Sequence, residues 1–153
     1  MACGKIKHIK TTVDDITFDS KMESEYYLYL KALKKKGIVT NIELQPEYIL
    51  QEKYVRFEGK VIYGSDKEFE SIKKKNKLTT VRAIKYIADF KATYKDGHVE
   101  IVDTKGKSTV EFEIKKKLFM AKFPEIDFKV LIKDKKLDEW VDYYEYKKRR
   151  RSR

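Results

Sequence analysis

Apolar residues near the start of the chain recur at helical spacing, which predicts a first helix from Phe18 to Lys36. Ser20 is a suitable N-cap, and Glu23 three residues later completes a capping box. Gly37 ends the helix after a run of lysines that suits the negative end of the helix dipole. The apolar stripe consists of Met22, Tyr26, Tyr29, Leu30 and Leu33.

Alternating or clustered β-branched and aromatic residues predict the strands that follow. Gln45-Pro46 separates the first two strands, since proline cannot donate to a central ladder. Asp96-Gly97 is a strong hairpin signal between the last two. The predicted strands are Ile38 to Leu44, Tyr48 to Phe57, Val81 to Tyr94 and Val99 to Lys105.

The remaining pattern predicts a helix from Val110 to Lys122, a short buried strand from Phe128 to Ile132, and a weaker helix from Leu137 to Tyr146. The order α-β-β-β-α-β-α indicates a single α/β domain with a mixed sheet. The predicted organisation is an N-terminal arm (1–17), a domain (18–146) with a polar, mobile excursion (58–80), and a basic tail (147–153) that is disordered until bound.

The net charge of the chain indicates what kind of molecule it binds. The 153-residue chain has a net charge of +11, and 40% of its residues are charged. Such an excess attracts polyanions, of which nucleic acid is the commonest in a cytosol; a merely soluble basic protein and one that touches anionic lipid are the alternatives. Cys3 is the only cysteine, which excludes an internal disulfide. With no apolar run long enough to span a membrane, we expect a cytoplasmic protein without a membrane partner.

The candidate chemistry lies on the predicted hairpin. Asp89 sits between Ala88 and Phe90, and Asp103 follows an apolar pair in the adjacent strand. A buried carboxylate in such a setting is costly unless a cation or hydrogen bonds compensate. Two carboxylates that strand pairing brings together repel each other, and a divalent cation relieves that repulsion.

Hard oxygen ligands of this kind suit Mg²⁺, with Mn²⁺ as a substitute. Lys105 lies two residues beyond Asp103, so on a strand both side chains point to the same face. There the lysine could orient an attacking water or offset charge on a phosphate. A metal and a lysine suffice for in-line hydrolysis of a phosphodiester.

Asp89 followed by Asp103-x-Lys105 resembles the PD-(D/E)XK nuclease signature on its usual hairpin. The resemblance extends to small phage-encoded endonucleases similar to Holliday-junction resolvases. It is carried in order by Phe18-x-Ser20-x-x-Glu23, Gln45-Pro46, Tyr86-x-Ala88-Asp89-Phe90, Asp103-x-Lys105-Gly106 and Lys115-Lys116-Lys117-Leu118-Phe119. It implies a restriction-endonuclease-like mixed sheet flanked by helices, magnesium-dependent DNA cleavage, and a homodimer acting on branched DNA.

The resemblance also assigns roles. Glu23 corresponds to the helix-borne acid, and its position near the apolar stripe favours it over Glu25. Thr104 would lend its backbone carbonyl to the metal, and Gln45 falls where some such nucleases carry a polar active-site residue. Lys107 and the run Lys115, Lys116 and Lys117 are the candidate nucleic-acid contacts. Ala88 in place of the nominal proline and Asp103 in place of the more frequent glutamate depart from the signature, and neither removes a ligand.

Structural explanations compete with each functional one. Glu23 could serve only the capping box, Asp89 could be a salt-bridged strand residue, and Asp103 with Lys105 could be a surface ion pair. The three consecutive lysines could be the solvated face of their helix. We do not expect His8 or His98 to be a ligand or a base.

The sequence therefore predicts a structure-selective DNA endonuclease that resolves branched DNA in phage recombination. The alternatives are a restriction-type or transposition-type endonuclease of the same fold, a non-catalytic basic DNA-binding protein, and an RNA-binding module.

Overall fold

The computed structural model of the chain describes residues 10–57, 59–65, 67–71 and 80–152. Cys3, His8 and the lysines at 73–75 lie outside these residues. The helices are α1 (Lys21–Lys35), α2 (residues 67–71), α3 (Val110–Lys122) and α4 (Tyr143–Arg151). The strands are β1 (Thr11–Val13), β2 (Ile16–Phe18), β3 (Val39–Leu44), β4 (Glu47–Gln51), β5 (Tyr54–Phe57), β6 (Lys60–Tyr63), β7 (Thr80–Val81), β8 (Ile84–Ile87), β9 (Phe90–Tyr94), β10 (Val99–Thr104), β11 (Asp127–Asp134) and β12 (Glu139–Asp142).

The chain forms two compact units that interleave along the sequence. The first contains residues 1–46, 88–109 and 124–153, and the second contains 47–87 and 110–123. The first unit holds a five-stranded sheet in the order β12-β11-β10-β9-β3. Only β10 and β11 are parallel, and the other neighbours are antiparallel, so the sheet is mixed. The predicted mixed α/β class is confirmed.

The core of the first unit forms where α1 packs against this sheet. Tyr26 and Leu30 from α1 are buried among Phe90, Ala92 and Val102. The ring of Trp140 meets the Tyr26 ring edge-on at 4.8 Å. Tyr29, which the sequence pattern placed in the apolar stripe, is 42% exposed, so the buried face of α1 is narrower than predicted.

The hairpin that joins β9 to β10 has the predicted turn. Gly97 adopts a φ of +87°, a conformation that other residues rarely adopt. The Tyr94 N–H donates to the His98 carbonyl at 2.8 Å and closes the turn. This turn sets the register of the two strands, so it determines which residues face each other at their far ends.

The second unit contains a two-stranded sheet of β4 and β8 and a three-stranded sheet in the order β6-β5-β7. An aromatic cluster fixes α3 within it. The Phe119 ring lies 4.9 Å from the Tyr48 ring and 5.3 Å from the Tyr86 ring. In the described part of the excursion predicted for 58–80, β6 pairs with β5, and Phe69 is buried; residues 58, 66 and 72–79 lie outside the described residues. Within the described residues, β-branched and aromatic side chains such as Val61 and Tyr63 explain the strand.

Two other sequence predictions differ from the structure. The helix predicted from Leu137 to Tyr146 is wrong, because Glu139–Asp142 forms β12 against β11 and the helix begins only at Tyr143. In the tail that was expected to be disordered, Lys147 to Arg151 form the last turns of α4, where their charge suits the negative end of the helix dipole; Arg153 lies outside the described residues.

The strand predicted from Val81 to Tyr94 is three strands, with one break at Arg82 and Ala83 and another at Ala88 and Asp89. In the described part of the chain, no helix has both the length and the apolar character that a membrane crossing requires.

Candidate active site

The two candidate aspartates lie at the same end of the central hairpin. Strands β9 and β10 pair with Val102 opposite Phe90, so the next positions along the two strands are Asp103 and Asp89. The break before β9 places Asp89 at the start of its strand rather than within it. The register therefore brings the two carboxylates together, as the sequence predicted.

Thr104 holds the Asp89 carboxylate in place. Its backbone N–H donates to Asp89 Oδ2 at 2.7 Å, and its hydroxyl donates to the same oxygen at 2.9 Å. Both hydrogen bonds stabilise the ionised form of the carboxylate. Sequence reasoning assigned Thr104 a role only through its backbone carbonyl and missed this orientation of Asp89. The position of Thr104, directly after Asp103 on the strand that pairs with β9, could have indicated this contact.

The backbone around Asp89 is fixed by the Gln45-Pro46 bend. The Gln45 N–H donates to the Asp89 carbonyl at 3.0 Å, and the Ala88 N–H donates to the Pro46 carbonyl at 3.1 Å. Gln45 has a φ of +49°, a left-handed conformation that is uncommon for a residue with a side chain. Its side chain is exposed, and only its backbone is shown to contact Asp89. The structure thus places Gln45 at the site.

Lys105 is the cation of the site. Its Nζ lies 2.5 Å from Asp103 Oδ1, so both side chains are on the same face, as predicted. Asp103 is 1% exposed. An aspartate this buried is not half of a surface ion pair, so that competing explanation does not fit.

Burial is the largest influence on the pKa values of Asp89 and Glu23. It raises the pKa of Asp89 to about 6, with a further contribution from the negative charge of Asp103. Burial also raises the pKa of Glu23, and the charge of Asp89 raises it further. Glu23 is therefore close enough to share the electrostatic field of the aspartates.

Burial and the neighbouring negative charges shift the pKa of Lys105 in opposite directions. Burial alone would lower it, but the carboxylates around it, first Asp103 and then Asp89, raise it above its ordinary value. Glu23 contributes to the same increase. Lys105 is accordingly a protonated ammonium surrounded by three acids.

The structure distinguishes the two glutamates of α1. Glu25 pairs with Lys21 at 3.7 Å on the helix surface. Glu23 accepts a hydrogen bond of 2.7 Å from the Ser20 hydroxyl, and that hydroxyl also caps the Glu23 N–H at 3.1 Å. Glu23 thus takes part in the cap and also interacts electrostatically with Asp89, so the capping role does not exclude a role at the candidate site.

The donor set fits a hard divalent cation. Glu23, Asp89 and Asp103 supply only carboxylate oxygens, and the raised pKa of the first two shows that their charges repel or are poorly solvated. A divalent ion would relieve both penalties. Mg²⁺ and Mn²⁺ match oxygen donors of this kind.

The loop after Lys105 is anchored by α4. The Ser108 N–H donates to the Tyr143 hydroxyl at 2.9 Å, and Lys147 Nζ donates to the Gly106 carbonyl at 3.2 Å. Lys107 is exposed in this loop. Lys147 of α4 therefore lies beside the loop that follows Lys105, a placement that the tail prediction missed. Lys115, Lys116 and Lys117 belong to the second unit; Lys115 and Lys116 form ion pairs with glutamates of their own helix.

A second group of titratable residues lies at the turn end of the hairpin. His98 Nε2 is 3.4 Å from Glu100 Oε1 and 3.2 Å from Asp127 Oδ2. Three such donor atoms within 4.8 Å of one another could in principle hold a metal ion. Lys129 contacts both carboxylates and supplies a cation from the chain itself. An ion-pair network accounts for this cluster.

Fold and site together define a mixed α/β protein with an acidic, lysine-containing centre on its central hairpin. Residues 4–139 match the family model described as "Protein of unknown function (DUF1064)". The chain belongs to this family. No curated protein and no solved structure matches it.

Proposed function

We propose that this protein is a metal-dependent endonuclease that hydrolyses phosphodiester bonds in DNA. The observation that carries the proposal is the buried Asp103 paired with Lys105 beside Asp89, on one face of the central hairpin. Carboxylates that repel each other beside a cation are costly to fold, so such a centre is favoured by function rather than stability. The resemblance to PD-(D/E)XK nucleases assigns the same residues.

Each residue has a role in this proposal. Glu23, Asp89 and Asp103, with the backbone carbonyl of Thr104, would hold Mg²⁺ or Mn²⁺. When bound, the ion supplies Lewis-acid activation of water and of the phosphate. Lys105 donates hydrogen bonds that orient the attacking water, and its positive charge offsets the charge that develops on the phosphate. Thr104 keeps the Asp89 carboxylate oriented through its two hydrogen bonds.

The charge around the site supports a polyanionic substrate. The net charge of the chain is +11, and α4 carries Lys147 against the loop that follows Lys105. Arg149, Arg150 and Arg151 extend this basic surface along the same helix. Phosphate contacts from Lys107 and Gln45 would add to it. This arrangement favours backbone recognition of nucleic acid.

A cleavage assay tests the proposal. Purified protein is incubated with a synthetic four-way junction, linear duplex or single strand, with Mg²⁺, with Mn²⁺ or with chelator. We expect metal-dependent cleavage that is lost in Asp89→Asn and in Asp103→Ala, while DNA binding is retained. Glu25→Gln is the matched control and should cleave normally, because Glu25 lies outside the acidic centre.

The substrates separate the finer alternatives. Symmetric nicking of the junction supports a resolvase acting in recombination, as the resemblance implies. Cutting of linear duplex alone supports a restriction-type or transposition-type enzyme. Tight binding with no cleavage of any substrate, or a fully active Asp89→Asn protein, would reject the nuclease.

A further inference from the structure

The sheet formed by β5, β6 and β7 carries tyrosine rings on its exposed face. Strands β5 and β6 pair with Tyr54 opposite Tyr63 and with Arg56 opposite Val61. Because side chains alternate along a strand, these four residues share one face of the sheet. Val61 and Tyr63 are 48% and 61% exposed, and Arg56 is also exposed. Val55, on the opposite face, is fully buried. We call the four residues the outer face of this sheet.

The two tyrosine rings of the outer face lie side by side. Their centroids are 5.9 Å apart, and the ring planes are inclined by 58°. Stacked bases are separated by about 3.4 Å, so a base that lies between two rings needs roughly 7 Å between them. No base fits between Tyr54 and Tyr63. A base can instead stack on the exposed side of the Tyr63 ring, whose movement is restricted by its contact with Tyr54.

The charges of this sheet suit a polyanion. The described residues of β5, β6 and β7 include Arg56 and Lys60 but no acidic residue. Arg82 follows β7 directly and is exposed. The guanidinium of Arg56 belongs to the same face as the two rings, so it can pair with a phosphate or stack on a base. Exposed rings beside cations are typical of surfaces that hold single strands, in which bases stack and phosphates pair with basic residues.

We propose that the outer face of this sheet binds single-stranded DNA, with an unpaired base stacked on Tyr63 and a neighbouring phosphate paired with Arg56. Bases in a duplex already stack on one another, so a duplex gains little from an exposed ring. Stacking tolerates any sequence, because every base has an aromatic face. The choice of DNA over RNA rests on the proposed function, whereas the stacking itself does not depend on cleavage.

Fluorescence anisotropy with a labelled oligothymidine of about 12 nucleotides measures the binding, with chelator present so that cleavage does not contribute. We expect Tyr63→Ala to weaken binding by about 5- to 100-fold, since the stacking of one base on an aromatic ring contributes on this scale. Tyr63→Phe keeps the ring and should bind like the wild type. Tyr29→Ala is the matched control, because it removes a tyrosine that is 42% exposed but lies on α1.

Salt dependence separates stacking from charge. Tyr63→Ala should leave the slope of log affinity against log salt unchanged, because no phosphate contact is lost. Arg56→Gln should reduce that slope by about 0.7, the value for one phosphate contact to a single strand. A duplex of the same length should bind Tyr63→Ala and the wild type equally. The substituted side chains are exposed, and circular dichroism checks that the variants fold.

Three results would overturn the proposal. They are wild-type affinity of Tyr63→Ala for the oligothymidine, an equal loss of affinity for single strand and duplex, and tighter binding of an oligouridine RNA of the same length. The outcome is distinct from that of the cleavage assay. Binding that depends on Tyr63, by a protein that cleaves no substrate, supports this surface and rejects the nuclease. Cleavage by a protein whose binding does not depend on Tyr63 does the reverse.

Discussion

At the scale of single residues, the buried carboxylates of the candidate site lower the stability of the folded protein. Asp89 must carry its charge in a buried setting next to Asp103, and its pKa is raised to about 6 from an ordinary value of 3.8. A shift of this size corresponds to roughly 3 kcal/mol of unfavourable free energy when the group is ionised in the folded protein. Thr104 and Lys105 offset only part of this cost.

Asp89→Asn should therefore stabilise the metal-free protein at pH 8, by about 1–3 kcal/mol, because it removes a buried charge. The amide oxygen can still accept the hydrogen bonds of Thr104. Thermal and urea unfolding in the presence of chelator measure the change in free energy of unfolding. Glu25→Gln, on the surface of α1, should change it by less than about 0.5 kcal/mol.

The raised pKa of Asp89 also predicts that the free energy of unfolding depends on pH. Because the pKa of Asp89 is higher in the folded protein, folding favours the protonated form of this carboxyl. The contribution of Asp89 to the free energy of unfolding is therefore most favourable below about pH 3.8, its ordinary pKa, and is lost as the pH rises through about 6, its pKa in the folded protein. The advantage of Asp89→Asn over the wild type should be largest at pH 8 and should shrink below about pH 6. Unfolding curves at pH 8, 6 and 5 measure it. An advantage that is equal at pH 8 and pH 5 would mean that the charge of Asp89 is not its source.

At the scale of elements, α1 links the fold to the site, because the hydroxyl that caps the helix also contacts the Glu23 carboxylate. Ser20→Ala should lower the free energy of unfolding by about 1 kcal/mol through loss of the N-cap. Urea denaturation measures it. Ser20→Thr keeps a capping hydroxyl and should stay close to the wild type; an equal loss in both variants would argue against the cap as the source.

Local signals explain which elements the sequence could predict. Helix α3 and the β9–β10 turn follow from apolar periodicity and from Asp96-Gly97, both of which act over a few residues. Strand β12 could not be predicted in this way, because Glu139–Asp142 extends only by pairing with β11. The break at Asp89 likewise depends on hydrogen bonds to Gln45 and Pro46, far away in sequence.

The candidate site was predictable to a similar extent. Asp89, Asp103 and Lys105 share one hairpin, so the alternation of strand residues and the turn length brought them together. The contact between Lys147 and Gly106 depends on where α4 packs in the fold. The basic composition of the C-terminal residues does not reveal that position. Glu23 was placed by helix geometry, and its coupling to Asp89 needed the packing of α1 on the sheet.

At the scale of the whole molecule, the net charge of +11 is spread over several basic clusters. Two of these clusters lie in the first unit, at the ends of α4 and α1. The cluster at the end of α4 shares its helix with Lys147, whereas Lys34, Lys35 and Lys36 lie at the end of α1 that is roughly 18 Å from Glu23. Comparing variants of these two clusters distinguishes DNA binding beside the candidate site from general electrostatic attraction between DNA and a basic protein.

Replacing Arg149, Arg150 and Arg151 by glutamine should weaken DNA binding and reduce the slope of log affinity against log salt by up to about 3. Fluorescence anisotropy with labelled duplex over a range of salt concentrations measures both quantities. The charge-matched control replaces Lys34, Lys35 and Lys36 by glutamine and should change the slope less. Equal effects from both triple variants would indicate that DNA does not preferentially contact α4.

Under the proposed function, the ion pair between Lys105 and Asp103 would also separate folding from metal binding. Structural metal sites that lack an internal cation collapse when the ion is removed, because folding and binding are one event. Here the chain supplies its own positive charge, and the acids are already assembled around it. Under the proposed function, the polypeptide would therefore be able to fold and persist before an ion binds. The supply of divalent cation would then govern only when the molecule is active.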